Sequence, residues 1–152
     1  LRNYTTYNQY FNLLKTVQKD PRVDKRKAKR LLKNYVADQR PPIRRKARIM
    51  VDHFISCVAK DCAGRAKAMI VTRNRLHAVR YALEVRHYLE ELGSPFKALV
   101  AFTDTVKDPP KPKAGETVQE FTEYGMNGFL EKQTEDMFNT DEYRILIVAN
   151  KF

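Results

Sequence analysis

Three short, continuously apolar runs set the terms on which this chain can fold. They are Ala68-Met69-Ile70-Val71-Thr72, Ala98-Leu99-Val100-Ala101-Phe102 and, after Arg144, Ile145-Leu146-Ile147-Val148-Ala149. None alternates apolar with polar residues, as a strand with one wet face does. Uniform runs of this length suit strands buried on both faces. Between the first two runs, Ala78, Ala82, Val85, Leu89 and Leu92 form a helical stripe, widened by Leu76, Val79 and Leu83. The stripe predicts a helix from about Arg75 to Leu92, stopped by Gly93. A shorter helix is expected near Glu131 to Asn139. Strand, helix, strand, helix, strand calls for a parallel sheet with right-handed crossovers and helices on both faces.

The residues before Gly64 read as helix only. Tyr7, Phe11, Leu14 and Val17 recur at helical spacing as far as Asp20-Pro21. Asp24 is placed to cap a helix carrying Ala28, Leu31, Leu32, Tyr35 and Val36. Pro41-Pro42 opens a third helix with an apolar face of Ile43, Ala47, Met50, Phe54 and Val58. The expected organisation is a basic helical segment over 1–64 and a sheet domain over 65–152. Residues 103–128 read as a long polar loop, functional or mobile, with no strong periodic segment.

The charge balance is lopsided: 29 Lys and Arg against 18 Asp and Glu, a formal net charge of +11. An excess of that size suits a polyanionic partner, since each phosphate contact releases condensed counterions. The cations cluster. Arg22, Lys25, Arg26, Lys27, Lys29, Arg30 and Lys33 crowd the second helix, and Arg40, Arg44, Arg45, Lys46 and Arg48 crowd the start of the third. Such a run is either a solvated helix face or a surface that tracks phosphates.

Several chemistries find no support. There is no Gly-x-x-x-x-Gly-Lys-Ser/Thr loop to cradle nucleotide phosphates, no Ser-His-Asp or Cys-His constellation, and no acidic cluster beside a Lys. His53, Cys57 and Cys62 hint at a metal site, but Cys62 falls past the helix end and no fourth ligand is near. Ordinary packing in a reducing compartment is the better reading. No apolar run approaches the roughly 20 residues needed to span a bilayer. No apolar leader opens the chain, so a cytoplasmic location is expected. Without an initiator Met, and with its third strand at its end, the chain is expected to be excised from a longer protein.

In a parallel sheet, ligands bind at the edge where the strands' C-terminal ends gather. Here those ends are Thr72-Arg73-Asn74-Arg75, Thr103-Asp104-Thr105 and Asn150-Lys151. Threonine hydroxyls and arginine guanidinium groups can hold phosphate oxygens without reading sequence. These tips are either a site or simply the polar residues that follow any strand. Read as a site, Thr72, Arg73, Arg75, Thr103 and Thr105, with Arg44, Arg45 and Lys46 on the basic helix, are the candidate DNA-binding residues. Arg73 and Arg75 are expected in solvent, at most partly paired, and His77 either contacts phosphate or lies on the helix surface.

The stretch from Ala66-Lys67-Ala68-Met69-Ile70-Val71-Thr72-Arg73-Asn74-Arg75 to Tyr81 resembles the opening of the second RecA-like domain in the motor subunits of type I restriction enzymes. Lys97 to Val106 resembles that domain's next strand, and Tyr124-Gly125-Met126-Asn127-Gly128-Phe129 with Glu131-Lys132 its later loop and helix start. Tyr143 to Phe152 looks like the beginning of helicase motif V, with Ala149, Asn150 and Lys151 at its start. The basic helices resemble the segment that bridges the two motor domains. Asp104 stands where the family usually has Gly, and Leu130 where Pro is common. The chain stops before the Thr-Gly-Phe-Asp part of motif V, and the later arginine motif is absent.

The resemblance implies a partial RecA-like sheet within a type I site-specific deoxyribonuclease, an ATP-dependent translocase that cleaves DNA. It implies ATP and Mg as cofactors of the parent protein, none of them bound by this chain alone. The implied partners are double-stranded DNA and the specificity and methyltransferase subunits, with no membrane. This piece alone is expected to be inactive. The alternative is a non-enzymatic basic nucleic-acid-binding domain.

Overall fold

The structure, a computed structural model, describes residues 11–12, 14–16, 24, 26–30, 32, 39–110, 112 and 114–149. The chain divides into two compact units, 1–46 and 47–152.

In the first unit Asp24 begins a helical stretch over 26–30. Its carboxylate accepts the amides of Arg26 and Lys27 at 2.9 and 3.2 Å, and its carbonyl accepts the Ala28 amide at 2.9 Å. That is the cap expected of an Asp ahead of a helix. Phe11 and Leu14 are helical; Tyr7, Val17, Leu31, Tyr35 and Val36 lie outside the described residues. Helix α1, Arg40–His53, opens on its two prolines and spans the division between the units. A π-helical turn, Phe54–Val58, continues it. The buried stripe is Ile43, Ala47, Val51 and Phe54, so Val51 takes the place expected of Met50.

The second unit carries β1 (Ala68–Val71), α2 (Arg75–Glu91), β2 (Lys97–Ala101), β3 (Val106–Asp108), β4 (Gln119–Phe121), α3 (Glu123–Asn127), a 3-10 turn (Glu131–Gln133), α4 (Thr134–Asn139) and β5 (Tyr143–Val148). Strands β1, β5 and β2 form a parallel sheet in that order, so the last strand lies between the first two. The α/β reading therefore holds. Side chains alternate across the sheet. Ala98, Val100, Phe102, Ile145, Ile147 and Ala149 face a core completed by Ala78, Val79, Ala82, Val85 and Leu89 of α2. Leu99, Ala101, Leu146 and Val148 face the other side, under Phe129, Met137, Phe138 and Tyr143.

Helix α2 has both ends closed by its own sequence. The Asn74 side chain accepts the His77 amide at 2.9 Å. At the other end Ser94 N donates to Leu89 O and Gly93 N to Glu90 O, both at 3.0 Å, with Gly93 at φ 59. This is a Schellman stop, which needs the left-handed residue that Gly supplies without steric cost.

Two expectations fail here. Strand β1 is not buried on both faces: Met69 is 53% and Val71 75% exposed. An apolar run shows that a strand can be covered, not that it is, and β1 is an edge strand whose outer side chains meet no covering helix among the described residues. The stretch 103–128 is not an unpacked loop either. It folds into the antiparallel hairpin β3–β4 followed by α3, and it buries Val106, Asp108 and Glu123. Arg80 holds the hairpin on α2 through a two-pronged ion pair with Asp108, at 3.0 and 2.6 Å. Strands of three residues are too short for their periodicity to stand out from a polar background.

The β2 edge is sealed by side chains. On an edge strand, alternate residues turn N–H and C=O outward, and each needs a partner when buried. Arg86 Nε donates to Ala98 O at 3.0 Å. The Asn127 amide takes both groups of Val100, donating to its carbonyl at 2.7 Å and accepting its N–H at 3.2 Å. Glu123 accepts the Phe102 amide at 2.9 Å. Arg86 also donates to Met126 O and Asn127 Oδ1 at 2.6 and 2.8 Å, so one guanidinium fixes the group that fixes the strand. Its burial lowers its pKa.

Asn127→Ala leaves the buried Val100 amide and carbonyl unpartnered. It should cost about 1–3 kcal/mol, read as a lower urea midpoint with an unchanged denaturant slope.

Candidate nucleic-acid interface

The parallel register brings the strand tips level. Val71 and Ala101 both stand opposite Val148 of β5. The ladder runs one step further on each side, through Thr72 N to Val148 O at 2.8 Å and Ala149 N to Ala101 O at 3.1 Å. The C-terminal ends of β1, β2 and β5 thus lie at one edge of the sheet, as expected of a parallel sheet. Ala149 is buried there; Asn150 and Lys151 lie outside the described residues.

The candidate residues at this edge separate into two kinds. Thr72 is buried, and its hydroxyl lies 2.9 Å from Val148 O and 3.1 Å from Asn74 O. It therefore braces the turn into α2 and does not present its hydroxyl to a ligand, against expectation. His77 is also buried, edge-on to Tyr81 at 6.3 Å between ring centroids, so it offers no phosphate contact. Arg73, Thr103 and Thr105 are exposed. The Arg73 charge reaches Tyr81, whose phenol pKa burial raises and Arg73 partly draws back. Arg75 is half-exposed and crosses from α2 to the β2 tip, donating to Thr103 O at 3.1 Å and pairing with the Asp104 carboxylate. Sequence reasoning has no signal for that pair, because residues 29 apart meet only once the strands are in register.

On α1, burial of Ile43, Ala47 and Val51 turns Arg44, Arg45 and Lys46 outward, and all three are exposed. Arg48 is committed elsewhere: it pairs with Glu91 and lies 4.5 Å over the Tyr88 ring. Tyr88 donates to Asp52 at 2.8 Å, and this hydrogen bond, with lesser help from burial, raises its pKa. This cluster fastens α1 to α2.

A cleft of about 280 Å³ lies at the opposite end of β2, lined among others by Arg86, Lys97, Asn127 and Tyr143. Its cations are engaged within the fold, Arg86 by backbone carbonyls and Lys97 by Glu142. Among the described residues no group of three His, Cys, Asp or Glu could hold a metal ion, and Cys57 and Cys62 are free thiols. Nor, among them, is any helix long and apolar enough to cross a membrane.

Comparison with protein-family profiles, curated proteins and solved structures gives no match for the chain.

The two kinds of tip threonine are separable by stability. Thr72→Val should cost about 1 kcal/mol by removing a buried donor. Thr103→Val, at an exposed position, should stay within about 0.5 kcal/mol of the parent. Urea midpoints of the two variants check both.

Proposed function

We propose that this chain is part of the DNA-tracking lobe of an ATP-driven double-stranded-DNA translocase, in the motor subunit of a type I restriction enzyme. The observation that carries the reading is the level parallel edge, where Arg73, Arg75, Thr103 and Thr105 follow the tips of β1 and β2 on either side of β5. The ordered sequence blocks that resemble this family fall on those same elements. The net charge of +11 supports a polyanionic partner. Guanidinium and hydroxyl groups at such an edge bond phosphate oxygens and carry no base code. A motor that moves along any sequence needs contacts of that kind.

On this reading the whole protein is a type I site-specific deoxyribonuclease working with specificity and methyltransferase subunits in the cytoplasm. ATP and Mg belong to the whole protein. This chain's own residues do not fit a nucleotide: β1 leads into Thr72-Arg73-Asn74-Arg75 with no glycine loop. The α2 N-terminus that a phosphate would use is capped by Asn74. The chain's own part in the work is to bind and orient the phosphate backbone. A second reading, a non-enzymatic basic nucleic-acid-binding domain, is favoured by the outward cations of α1, which need no motor to bind DNA.

The purified chain should bind duplex DNA without sequence preference and with steep salt dependence in fluorescence anisotropy. Arg44→Glu, Arg45→Glu and Lys46→Glu together should weaken binding equally for all sequences. For every phosphate these changes leave without its cation, the log–log salt slope should flatten by about 0.9. Unchanged affinity would make these residues a solvated face. ATP turnover by the chain should stay at background with and without DNA, and DNA-stimulated hydrolysis would contradict the assignment of nucleotide binding to other parts of the protein.

A further inference from the structure

Asp104 sits at φ 59, in the left-handed region that residues with a Cβ seldom occupy and that Asp and Asn tolerate best. The turn this makes after β2 aims its carboxylate at Arg75, which reaches across from the first turn of α2. Arg75 also donates to Thr103 O at 3.1 Å, so its guanidinium lies over the β2 tip. The pair is open to water: the Arg75 side chain is 39% and the Asp104 side chain 77% exposed. Ion pairs this exposed are weak. Phosphate oxygens offer a guanidinium the same acceptor geometry as a carboxylate, with comparable charge-assisted hydrogen bonds. Thr103 and Thr105, the residues on either side of Asp104 in the chain, are exposed as well.

We propose that Asp104 is a built-in competitor for the phosphate that this edge binds, and that it sets the edge's affinity by holding Arg75. The inference rests on the reading of the strand tips as a phosphate-contacting surface. Asp104 acts on that surface by occupying the cation meant for the incoming anion. Binding of a polyanion then requires an exchange in which Arg75 trades the Asp104 carboxylate for a phosphate oxygen. An edge tuned in this way holds DNA loosely, which suits a surface that must release and regrip.

The test compares Asp104→Asn with Glu135→Gln, which removes the same charge from an exposed position on α4. Asn keeps the shape and tolerates the same backbone geometry. Duplex-DNA binding is measured by anisotropy over a salt series, for each variant alone and with Arg75→Gln. Asp104→Asn is expected to bind about two- to fivefold tighter than Glu135→Gln, the range of a weak surface pair. Its salt slope should match that of the parent chain, because Arg75 neutralises one phosphate in both. The gain in affinity should vanish in the Arg75→Gln background. Equal behaviour of the two charge-removing variants, with the parent chain still binding, overturns the competitor role alone. Tighter binding that persists without Arg75 reduces Asp104 to simple repulsion and overturns it too. No binding by the parent chain even at low salt removes the phosphate-contacting reading itself.

Discussion

Strand β5 has no free edge, and everything else in the second unit is arranged around that constraint. It pairs with β1 on one side and β2 on the other, and Arg144 to Ala149 are buried throughout. A strand so enclosed can have neither a wet face nor an unpaired backbone group, because each buried polar group left over costs a hydrogen bond's worth of desolvation. Its one charged residue shows the rule at work. Arg144 is buried yet donates to Asp141 O at 2.8 Å and lies 5.7 Å from the Phe96 ring. Lys67 ties the same region from the β1 side, donating to the carbonyls of Phe138, Thr140 and Tyr143. Desolvation, then the Arg144 charge, lowers its pKa.

The placing of β5 also decides where the site can be. Because the last strand enters between the first two, the turns after β1 and β2 flank a common middle strand. Arg75 can span that gap from α2 to the β2 tip only because the three ends are in register. A one-residue slip of β2 would exchange its two faces as well as move Thr103 and Asp104. The chemistry of the edge and the packing of the core are therefore set by one choice of register.

Much of this architecture is legible in the sequence, and the parts that are not share a cause. The three apolar runs, the α2 stripe and the Gly93 stop are local patterns, and each corresponds to an element of the structure. The exposed outer face of β1 is not legible, since Met69 and Val71 are as apolar as any core pair. What covers them is a tertiary matter. The β3–β4 hairpin escapes a sequence reading because its anchors are polar: Asp108 is buried by Arg80, and Glu123 by Phe102 N and Thr134. Polar residues read as loop until their partners are known. Of the candidate contacts, Arg73 stands exposed as expected, and Thr103 and Thr105 are exposed too. Thr72 shows that a polar residue at a strand end can as readily be structural.

The two edges of the sheet are treated differently, and the difference bears on how such a unit avoids unwanted pairing. At β2 four outward backbone groups are taken by Arg86, Asn127 and Glu123, so no further strand can add there without breaking buried bonds. At β1 the alternation that directs Thr72 N to Val148 turns the backbone groups of Met69 and Val71 outward. An edge with apolar side chains and open backbone groups is a template for association unless charge guards it. Arg65 and Arg73 stand exposed on either side of β1. Antiparallel pairing of two such edges would set the Arg65 end of one copy against the Arg73 end of the other. Like charges placed opposite each other disfavour that arrangement, so the basic character of the chain works against self-pairing at the β1 edge.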